Sequence, residues 1–270
     1  ISGAIGNAVA LDDVSVDAAA NEKLAVTFGS TVATTTLSVV SNAIGNETAA
    51  ATIVGNLTAS GAVTVTGTNN AAATLTLQGA TNSAASFTLN DDTGVATLTV
   101  DADNGAQTIA GTILGNTAGE GALVITDSDA ADVVADTQTF AGAIGATNTL
   151  AKIDIGNATT GAGAIFSSTV ATAGAINIDS GDASGETAAV QFQNNVTNGG
   201  NLVLDENSGG AAVVTFNSTN GALAVSGAVL AGNAGEGDII VIDDDADEAP
   251  QAVTFAGAVG STARVGTLAV

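Results

Sequence analysis

Residues 63–77 read Val-Thr-Val-Thr-Gly-Thr-Asn-Asn-Ala-Ala-Ala-Thr-Leu-Thr-Leu, with an alternating apolar and polar segment at each end and turn-forming residues between them. Alternation with a period of two is the pattern of a half-buried β-strand. Glycine and asparagine tolerate the backbone conformations that tight turns require. This stretch therefore predicts a unit of one strand and one turn.

The same unit recurs along the neighbouring sequence. Apolar segments end at Val65, Leu77, Leu89 and Val100, at intervals of 12, 12 and 11 residues. No part of the chain shows the sustained i, i+3, i+4, i+7 apolar spacing of an amphipathic helix. These observations predict an all-β protein.

A longer interval appears in the second half, where Phe140, Phe166, Phe192 and Phe216 are separated by 26, 26 and 24 residues. Because this interval is about twice the shorter one, every second strand is equivalent, as in a solenoid coil with two main strands. The preferred interpretation is a parallel β-solenoid, or β-helix, with coils of about 24–26 residues. Tandem antiparallel β-sandwich repeats are the alternative. In the solenoid, Phe166, Phe192 and Phe216 should lie on successive coils and touch.

A still longer repeat is marked by three copies of one hexapeptide, Ile1-Ser-Gly-Ala-Ile-Gly6, Phe140-Ala-Gly-Ala-Ile-Gly145 and Phe255-Ala-Gly-Ala-Val-Gly260. The copies divide the chain into long repeats at approximately 1–139 and 140–254 and a partial repeat at 255–270. No linker stands out between them. Residues 1–270 are therefore predicted to form a single continuous body.

Composition narrows the partners and the location. The 27 acidic residues against 3 basic residues give a net charge of −24, which repels nucleic acid and anionic membranes. No run of about 20 mainly apolar residues predicts a transmembrane helix. Such an acidic chain needs bound cations or an elongated body to limit self-repulsion. Bound cations and an elongated body both favour an extracellular location at a cell surface, where calcium is plentiful.

The residue types also argue against catalysis. Histidine and cysteine are absent, so Ser-His-Asp and Cys-His catalysis and ordinary zinc sites are excluded. Carboxylate pairs could serve a β-helix polysaccharide lyase or hydrolase. The chain, however, has only 3 basic residues and neither tryptophan nor tyrosine with which to bind an anionic or neutral sugar. A non-enzymatic protein is therefore expected, with the lyase or hydrolase as the least favoured alternative.

Acidic residues clustered in turns suggest calcium as a cofactor. Calcium takes six to eight oxygen ligands, and alternating aspartates in a tight loop can direct several carboxylates at one ion. No complete EF-hand loop occurs, and hydrated turn residues are the alternative interpretation. The candidate calcium ligands are Asp101, Asp103, Asp127, Asp129, Asp243, Asp245 and Asp247.

Threonine pairs suggest a second kind of surface. Thr-x-Thr pairs begin at Thr64, Thr74 and Thr97, and stacked on a solenoid they could form a flat hydroxyl array. Such an array would fit ice or a crystalline polysaccharide. The alternative is that threonine is simply well suited to outward positions of a strand.

Two bacterial families share features with this chain. The segment Thr254-Phe-Ala-Gly-Ala-Val-Gly-Ser-Thr-Ala-Arg-Val-Gly-Thr-Leu-Ala-Val270 and the segment Gly200-Asn-Leu-Val-Leu-Asp-Glu-Asn-Ser-Gly-Gly210 resemble the repeats of giant bacterial adhesins and autotransporter passengers. This resemblance implies a parallel β-helix at the cell surface, used as a stalk, filament or sheath. Acidity, lack of cysteine and threonine content also resemble bacterial surface-layer proteins, whose lattices commonly need calcium.

The expected function follows from these features together. We expect a non-catalytic structural subunit or segment of an extracellular bacterial surface filament or adhesin. Because residues 255–270 match residues 140–155 without the coils that would follow, copies of the chain are expected to join head to tail. The alternatives are a calcium-dependent surface-layer protein and a carbohydrate- or ice-binding adhesin module. A surface polysaccharide is the other expected partner.

Overall fold

The computed structural model describes residues 1–19, 22–42, 47–128, 136–181, 186–207, 210–244 and 251–270. These residues form an all-β parallel β-solenoid, and no helix occurs among them. The chain winds through about nine turns of about 25 residues, and each turn stacks its strands on those of the turn before. The predicted fold class is confirmed, and the antiparallel sandwich alternative is wrong.

The strands form three sheets along the solenoid. Sheet 1 contains β1 (Leu11–Ala18), β3 (Val32–Ser41), β5 (Leu57–Ala59), β6 (Ala62–Gly67), β8 (Thr81–Asn90), β10 (Gln107–Gly115), β12 (Thr137–Phe140), β14 (Gly163–Phe166), β17 (Thr187–Phe192), β20 (Ala211–Asn217), β23 (Glu236–Ile242) and β25 (Val265–Ala269). Sheet 2 contains β2 (Leu24–Phe28), β4 (Thr48–Ile53), β7 (Ala72–Leu77), β9 (Val95–Asp101), β11 (Ala122–Thr126), β13 (Lys152–Ile155), β16 (Ile176–Asp179), β19 (Leu202–Asp205) and β22 (Val229–Ala231). Sheet 3 contains β15 (Val170–Thr172), β18 (Val196–Asn198), β21 (Leu223–Val225) and β24 (Val253–Phe255).

The short period of the sequence corresponds to alternation between sheets 1 and 2. The segments ending at Val65 and Leu89 lie in β6 and β8 of sheet 1, and those ending at Leu77 and Val100 lie in β7 and β9 of sheet 2. Strands β6 and β8 pair in parallel, and so do β7 and β9. From β6 to β9, every second strand is therefore equivalent, as the doubled interval predicted.

The core consists of columns of inward side chains that repeat from coil to coil on three sides of the solenoid. Side one carries Ile5, Val32, Leu57, Asn82, Ile109, Phe140, Phe166, Phe192, Phe216 and Val241. Side two carries Val14, Leu37, Val63, Phe87, Ile113, Ile144, Val170, Val196, Val225 and Phe255. Side three carries Val26, Ala51, Leu75, Leu98, Leu123, Ile153, Ile176, Leu202, Val229 and Val259.

Phenylalanine stacking holds the second half of side one together. The ring centroids of Phe140 and Phe166 lie 5.1 Å apart, as do those of Phe166 and Phe192, and those of Phe192 and Phe216 lie 5.8 Å apart. All four rings are buried and nearly parallel. Stacked aromatic pairs add about 0.5–1.5 kcal/mol each beyond the area that they bury. The predicted contact between Phe166, Phe192 and Phe216 is confirmed.

A third side distinguishes the structure from the predicted coil of two main strands. In the first half, the long strands β3 and β8 cover sides one and two together. In the second half these long strands are divided, and sheet 3 takes over side two. The strands of sheet 3 have only three residues each, too few for a period-two pattern to stand out in the sequence.

The three hexapeptide copies lie on three different sides. Ile5 of the first copy pairs with Val32 on side one, Ile144 of the second lies on side two, and Val259 of the third pairs with Val229 on side three. Their final glycines nevertheless share one left-handed conformation, with φ of 69°, 66° and 64° at Gly6, Gly145 and Gly260. The long repeat therefore preserves local conformation while its copies are displaced around the axis.

Gln138 is an exception to the apolar filling of the core. Its side chain is fully buried, and neither its amide nitrogen nor its carbonyl oxygen has a hydrogen-bond partner in the described structure. Gln107, directly beneath it in the ladder, is satisfied, because its Nε2 donates to the carbonyl oxygens of Leu77 (3.3 Å) and Asp101. A buried amide without partners costs stability.

Replacing Gln138 with leucine should therefore stabilise the protein. We expect Gln138→Leu to raise the free energy of unfolding by about 1–3 kcal/mol, the usual cost of an unsatisfied buried polar group. The matched change Gln107→Leu should lower it, since the carbonyl oxygens of Leu77 and Asp101 lose a donor. Denaturant unfolding followed by circular dichroism measures both. A less stable Gln138→Leu variant would show that the carboxamide is satisfied.

Candidate functional site

Asp101, one of the predicted calcium ligands, accepts hydrogen bonds from two neighbouring coils. It ends β9 and is buried, and its Oδ2 accepts hydrogen bonds from Gln78 Nε2 at 3.0 Å and Ser128 Oγ at 2.9 Å. Its Oδ1 accepts the backbone N–H of Ser128 at 3.1 Å. The carboxylate thus ties three successive coils together. Asp103, in the turn that follows, is exposed.

Asp127 and Asp243 occupy corresponding positions in the long sequence repeat and accept similar backbone hydrogen bonds. Asp127 follows β11, and its Oδ2 accepts the backbone N–H of Asp136 at 2.9 Å. Asp243 follows β23, and its Oδ2 accepts the backbone N–H of Gln251 at 2.8 Å. Each of these bonds joins an aspartate to a backbone N–H eight or nine residues further along the chain.

The structure brings only part of the predicted calcium set together. Asp101 ends β9 and Asp127 follows β11, the neighbouring strand of sheet 2, whereas Asp243 follows β23 of sheet 1. Asp129, Asp245 and Asp247 lie outside the described residues. Within the described ranges, no three acidic side chains converge as a metal site. Calcium binding stays a prediction.

Threonine hydroxyls line the outer surface of sheet 2 in the first half. Thr74 and Thr76 of β7 pair with Thr97 and Thr99 of β9. The column of Thr76 and Thr99 continues through Thr52 and Thr27 on earlier coils. Two of the three predicted pairs are therefore brought together into one threonine face, comprising Thr27, Thr52, Thr74, Thr76, Thr97 and Thr99. The third pair, Thr64 and Thr66, lies on β6 of sheet 1.

Sheet 2 also bears an acidic groove in the second half, which the sequence reasoning missed. The groove has a volume of about 370 Å³ and is lined by Asp154, Asp179 and Asp205 together with apolar and asparagine side chains. Asp154 is paired with Lys152 at 2.6 Å and accepts a hydrogen bond from Asn177. The sequence signal for the stacked aspartates is the 26-residue interval between Asp179 and Asp205, which pair in the ladder of β16 and β19.

The carboxyl group of Asp205 has a raised pKa. Partial burial raises its pKa above the ordinary value, and the neighbouring carboxylates of Asp179 and Glu236 raise it further. Asp179 lies directly beside it in the parallel ladder of β16 and β19. Asp179 Oδ1 also accepts hydrogen bonds from the backbone N–H of Gly181 at 3.0 Å and from Asn207 Nδ2 at 2.7 Å. The groove therefore concentrates negative charge.

The first coil has a different kind of groove, open toward the end of the solenoid. It has a volume of about 580 Å³, and its apolar lining includes Ile5, Leu11, Val14, Leu24 and Val26. These residues belong to the core columns or flank them, but within the described structure no earlier coil covers them. Leu11 is 46% exposed. Within the described structure, apolar side chains of the first coil thus line an open groove.

Comparisons with protein-family models, with curated proteins and with solved structures found no match for this chain. In the part of the chain that the structure describes, no helix is long and apolar enough to cross a bilayer. The fold and the surfaces above are therefore the basis for assigning a function.

Neutralising Asp205 should stabilise the protein at neutral pH. Because its folded-state pKa is raised above its unfolded value, folding disfavours the ionised form. Asp205→Asn should therefore be more stable than the parent at pH 7. The advantage should disappear as the pH falls through the folded-state pKa toward the unfolded value, where the parent becomes protonated in both states. Thermal melts across pH 3.5–7.5 measure this.

Asp154→Asn is the matched control in the same groove. Its carboxylate already has a lysine and an amide partner, so the substitution should give no gain at pH 7. Equal stabilisation by the two variants would contradict a specific effect at Asp205 and indicate general relief of negative charge.

Proposed function

We propose that this chain is a non-catalytic structural subunit or segment of an extracellular bacterial surface filament or adhesin, whose copies join head to tail. The observation that carries the proposal is the continuity of the core columns from the first coil to the last. At about 4.8 Å per coil, nine coils make a rod roughly 40 Å long. Such a rod suits a stalk or filament unit.

The end coils support assembly through the solenoid axis. The end groove exposes apolar side chains at the first coil, and Leu268 of β25 is 53% exposed at the other end. Within the described structure, β1 and β25 each pair on one side only. Unpaired strand edges recruit further strands, and stacking another coil would extend every column.

Charge favours head-to-tail over head-to-head contact. Residues 1–28 carry four carboxylates and one lysine, whereas residues 251–270 carry no acidic residue and one basic residue, Arg264. Contact between two first coils would bring Asp12, Asp13 and Asp17 of β1 against their own copies. Contact between opposite ends places Arg264 at an acidic coil instead. A heterologous contact of this kind grows an open filament.

The test is the concentration dependence of assembly, followed by sedimentation velocity and electron microscopy of the purified chain. We expect rods whose mean length increases with protein concentration. Arg264→Gln should shorten them several-fold at equal concentration, because the end contact loses its basic partner. Lys152→Gln removes the same charge from the middle of the rod and should leave the length unchanged. A monodisperse monomer at high concentration would overturn the proposal.

Two alternative functions are compatible with this architecture. In a calcium-dependent surface-layer protein, the acidic turns would hold the ions that join subunits in a lattice. In a carbohydrate- or ice-binding adhesin module, the threonine face would be the binding surface. The second has a specific observation in its favour, namely the alignment of Thr74 with Thr97 and of Thr76 with Thr99.

Binding to a crystalline polysaccharide or to ice tests the threonine face. If this alternative holds, the double substitution Thr76→Val with Thr99→Val should reduce the bound fraction at least several-fold, because two central hydroxyls are lost. The same change at Thr64 and Thr66, on the other sheet, should have no effect. Cosedimentation with cellulose or chitin, and ice-affinity partitioning, give the readout. Equal binding by both variants would exclude the threonine face.

A further inference from the structure

Three asparagines of the chain are followed directly by glycine, at Asn104-Gly105, Asn198-Gly199 and Asn220-Gly221. Asparagine is a thermolabile residue. A following glycine has no Cβ, so its backbone nitrogen can approach the asparagine side chain closely. The sequence Thr-Asn-Gly is identical at residues 197–199 and 219–221. A difference in reactivity between Asn198 and Asn220 must therefore come from the folded structure.

The reaction open to such a pair is deamidation through a cyclic imide. The backbone nitrogen of glycine gives up its proton to solvent and forms a bond to Cγ of asparagine. The bond from Cγ to Nδ2 breaks, and ammonia leaves with a proton from solvent. Water then adds to either carbonyl carbon of the imide and breaks the bond from that carbon to nitrogen. One carboxamide thus becomes one carboxylate, in aspartate or isoaspartate, and water is the co-reactant.

The fold controls this reaction through the bonds that must be released before the ring can close. The glycine N–H must leave its acceptor, the backbone must rotate, and the carboxamide must turn toward the glycine nitrogen. Local opening costs little in exposed turns and approaches the free energy of global unfolding in core strands. The hydrogen bonds around each asparagine therefore predict the relative rates.

Asn104 lies in an exposed turn after β9. The backbone N–H of Gly105 donates to the carbonyl oxygen of Ala102 at 2.7 Å, which closes the turn. A Cβ built at Gly105 would have Asp136 Oδ2 as its nearest neighbour, at 3.8 Å. The turn therefore has space in which to rotate once this bond breaks.

Asn220 lies in a similar exposed turn after β20. The backbone N–H of Gly221 donates to the carbonyl oxygen of Ser218 at 2.8 Å. Asn220 Nδ2 donates to the carbonyl oxygen of Gln193 at 3.3 Å, which is long for a hydrogen bond. Among the described residues, no atom lies within 4 Å of a Cβ built at Gly221. Opening of this turn is therefore also a local event.

Asn198 has the opposite setting, because it ends β18 and is only 4% exposed. Its Nδ2 donates to the carbonyl oxygen of Gly200 at 2.9 Å, and its Oδ1 accepts the backbone N–H of Gly227 at 3.0 Å. The N–H of Gly199 donates to the carbonyl oxygen of Thr172 on the preceding coil at 2.8 Å. Ring closure at Asn198 therefore requires bonds to both neighbouring coils to break.

We propose that Asn104 and Asn220 are modification sites that deamidate spontaneously in the folded protein, and that the fold protects Asn198. Each event places a carboxylate on a turn, and isoaspartate also lengthens the backbone there. At Asn104 the new charge lies beside Asp103, so an acidic turn becomes more acidic. The inference depends on no particular function of the chain.

Peptide mapping of the purified chain tests this inference. Folded protein and protein unfolded in urea are incubated in the same mildly alkaline buffer and digested with thermolysin at intervals. Liquid chromatography with mass spectrometry then separates the asparagine, aspartate and isoaspartate peptides. In the folded protein, Asn104 should convert, and Asn220 should convert at least about ten times faster than Asn198, because local opening governs the rates. In urea the rates at Asn198 and Asn220 should become similar.

The variants Asn104→Gln and Asn220→Gln are the controls for peptide assignment. Each should remove its own signal and leave the circular dichroism spectrum unchanged, since both side chains are exposed. Equal rates at Asn198 and Asn220 in the folded protein would overturn the protection of Asn198. Conversion of Asn104 and Asn220 in urea alone would overturn both sites. A difference between Asn198 and Asn220 that persisted in urea would assign it to sequence and would also overturn the inference.

Discussion

The structure depends on one constraint, the direct stacking of each strand on its equivalent in the next coil. Parallel hydrogen bonds fix this stacking, so an inward position on one coil is packed against the same position above and below. Side chains at equivalent positions therefore pack directly on one another, as the rings of Phe166 and Phe192 do and as Leu75 and Leu98 do. The core is therefore built from thin repeated layers of modest side chains.

This constraint explains how much of the fold could be predicted from the sequence. Stacked phenylalanines leave an interval equal to the coil length, and the alternation around Leu77 leaves a period of two. Both signals are periodic, so they can be recognised from the sequence alone. The third side leaves no comparable signal in the sequence, because a strand such as Val170–Thr172 has too few residues to show alternation. Its position depends on where the chain bends, which is decided by packing across the coil.

The role of the acidic residues could not be predicted from the sequence alone. A calcium ligand and an acceptor of backbone hydrogen bonds are both aspartates in the same kind of turn. Asp101 and Asp127 are predicted from the sequence as turn carboxylates. Only the structure reveals the backbone N–H groups that donate hydrogen bonds to them. The setting of Asp205 could not be predicted from its neighbours in sequence. It arises because Asp179 and Glu236 approach from other coils.

The displacement of the hexapeptide copies around the axis has a consequence for how the surface is read from outside. If each long repeat contained a whole number of coils, identical motifs would lie in a single row along the solenoid. Here the turns at Gly6, Gly145 and Gly260 have the same conformation but lie on three different sides of the solenoid. An antibody or receptor specific for that corner would meet it from whichever direction it approached. It could not bridge two copies along one edge.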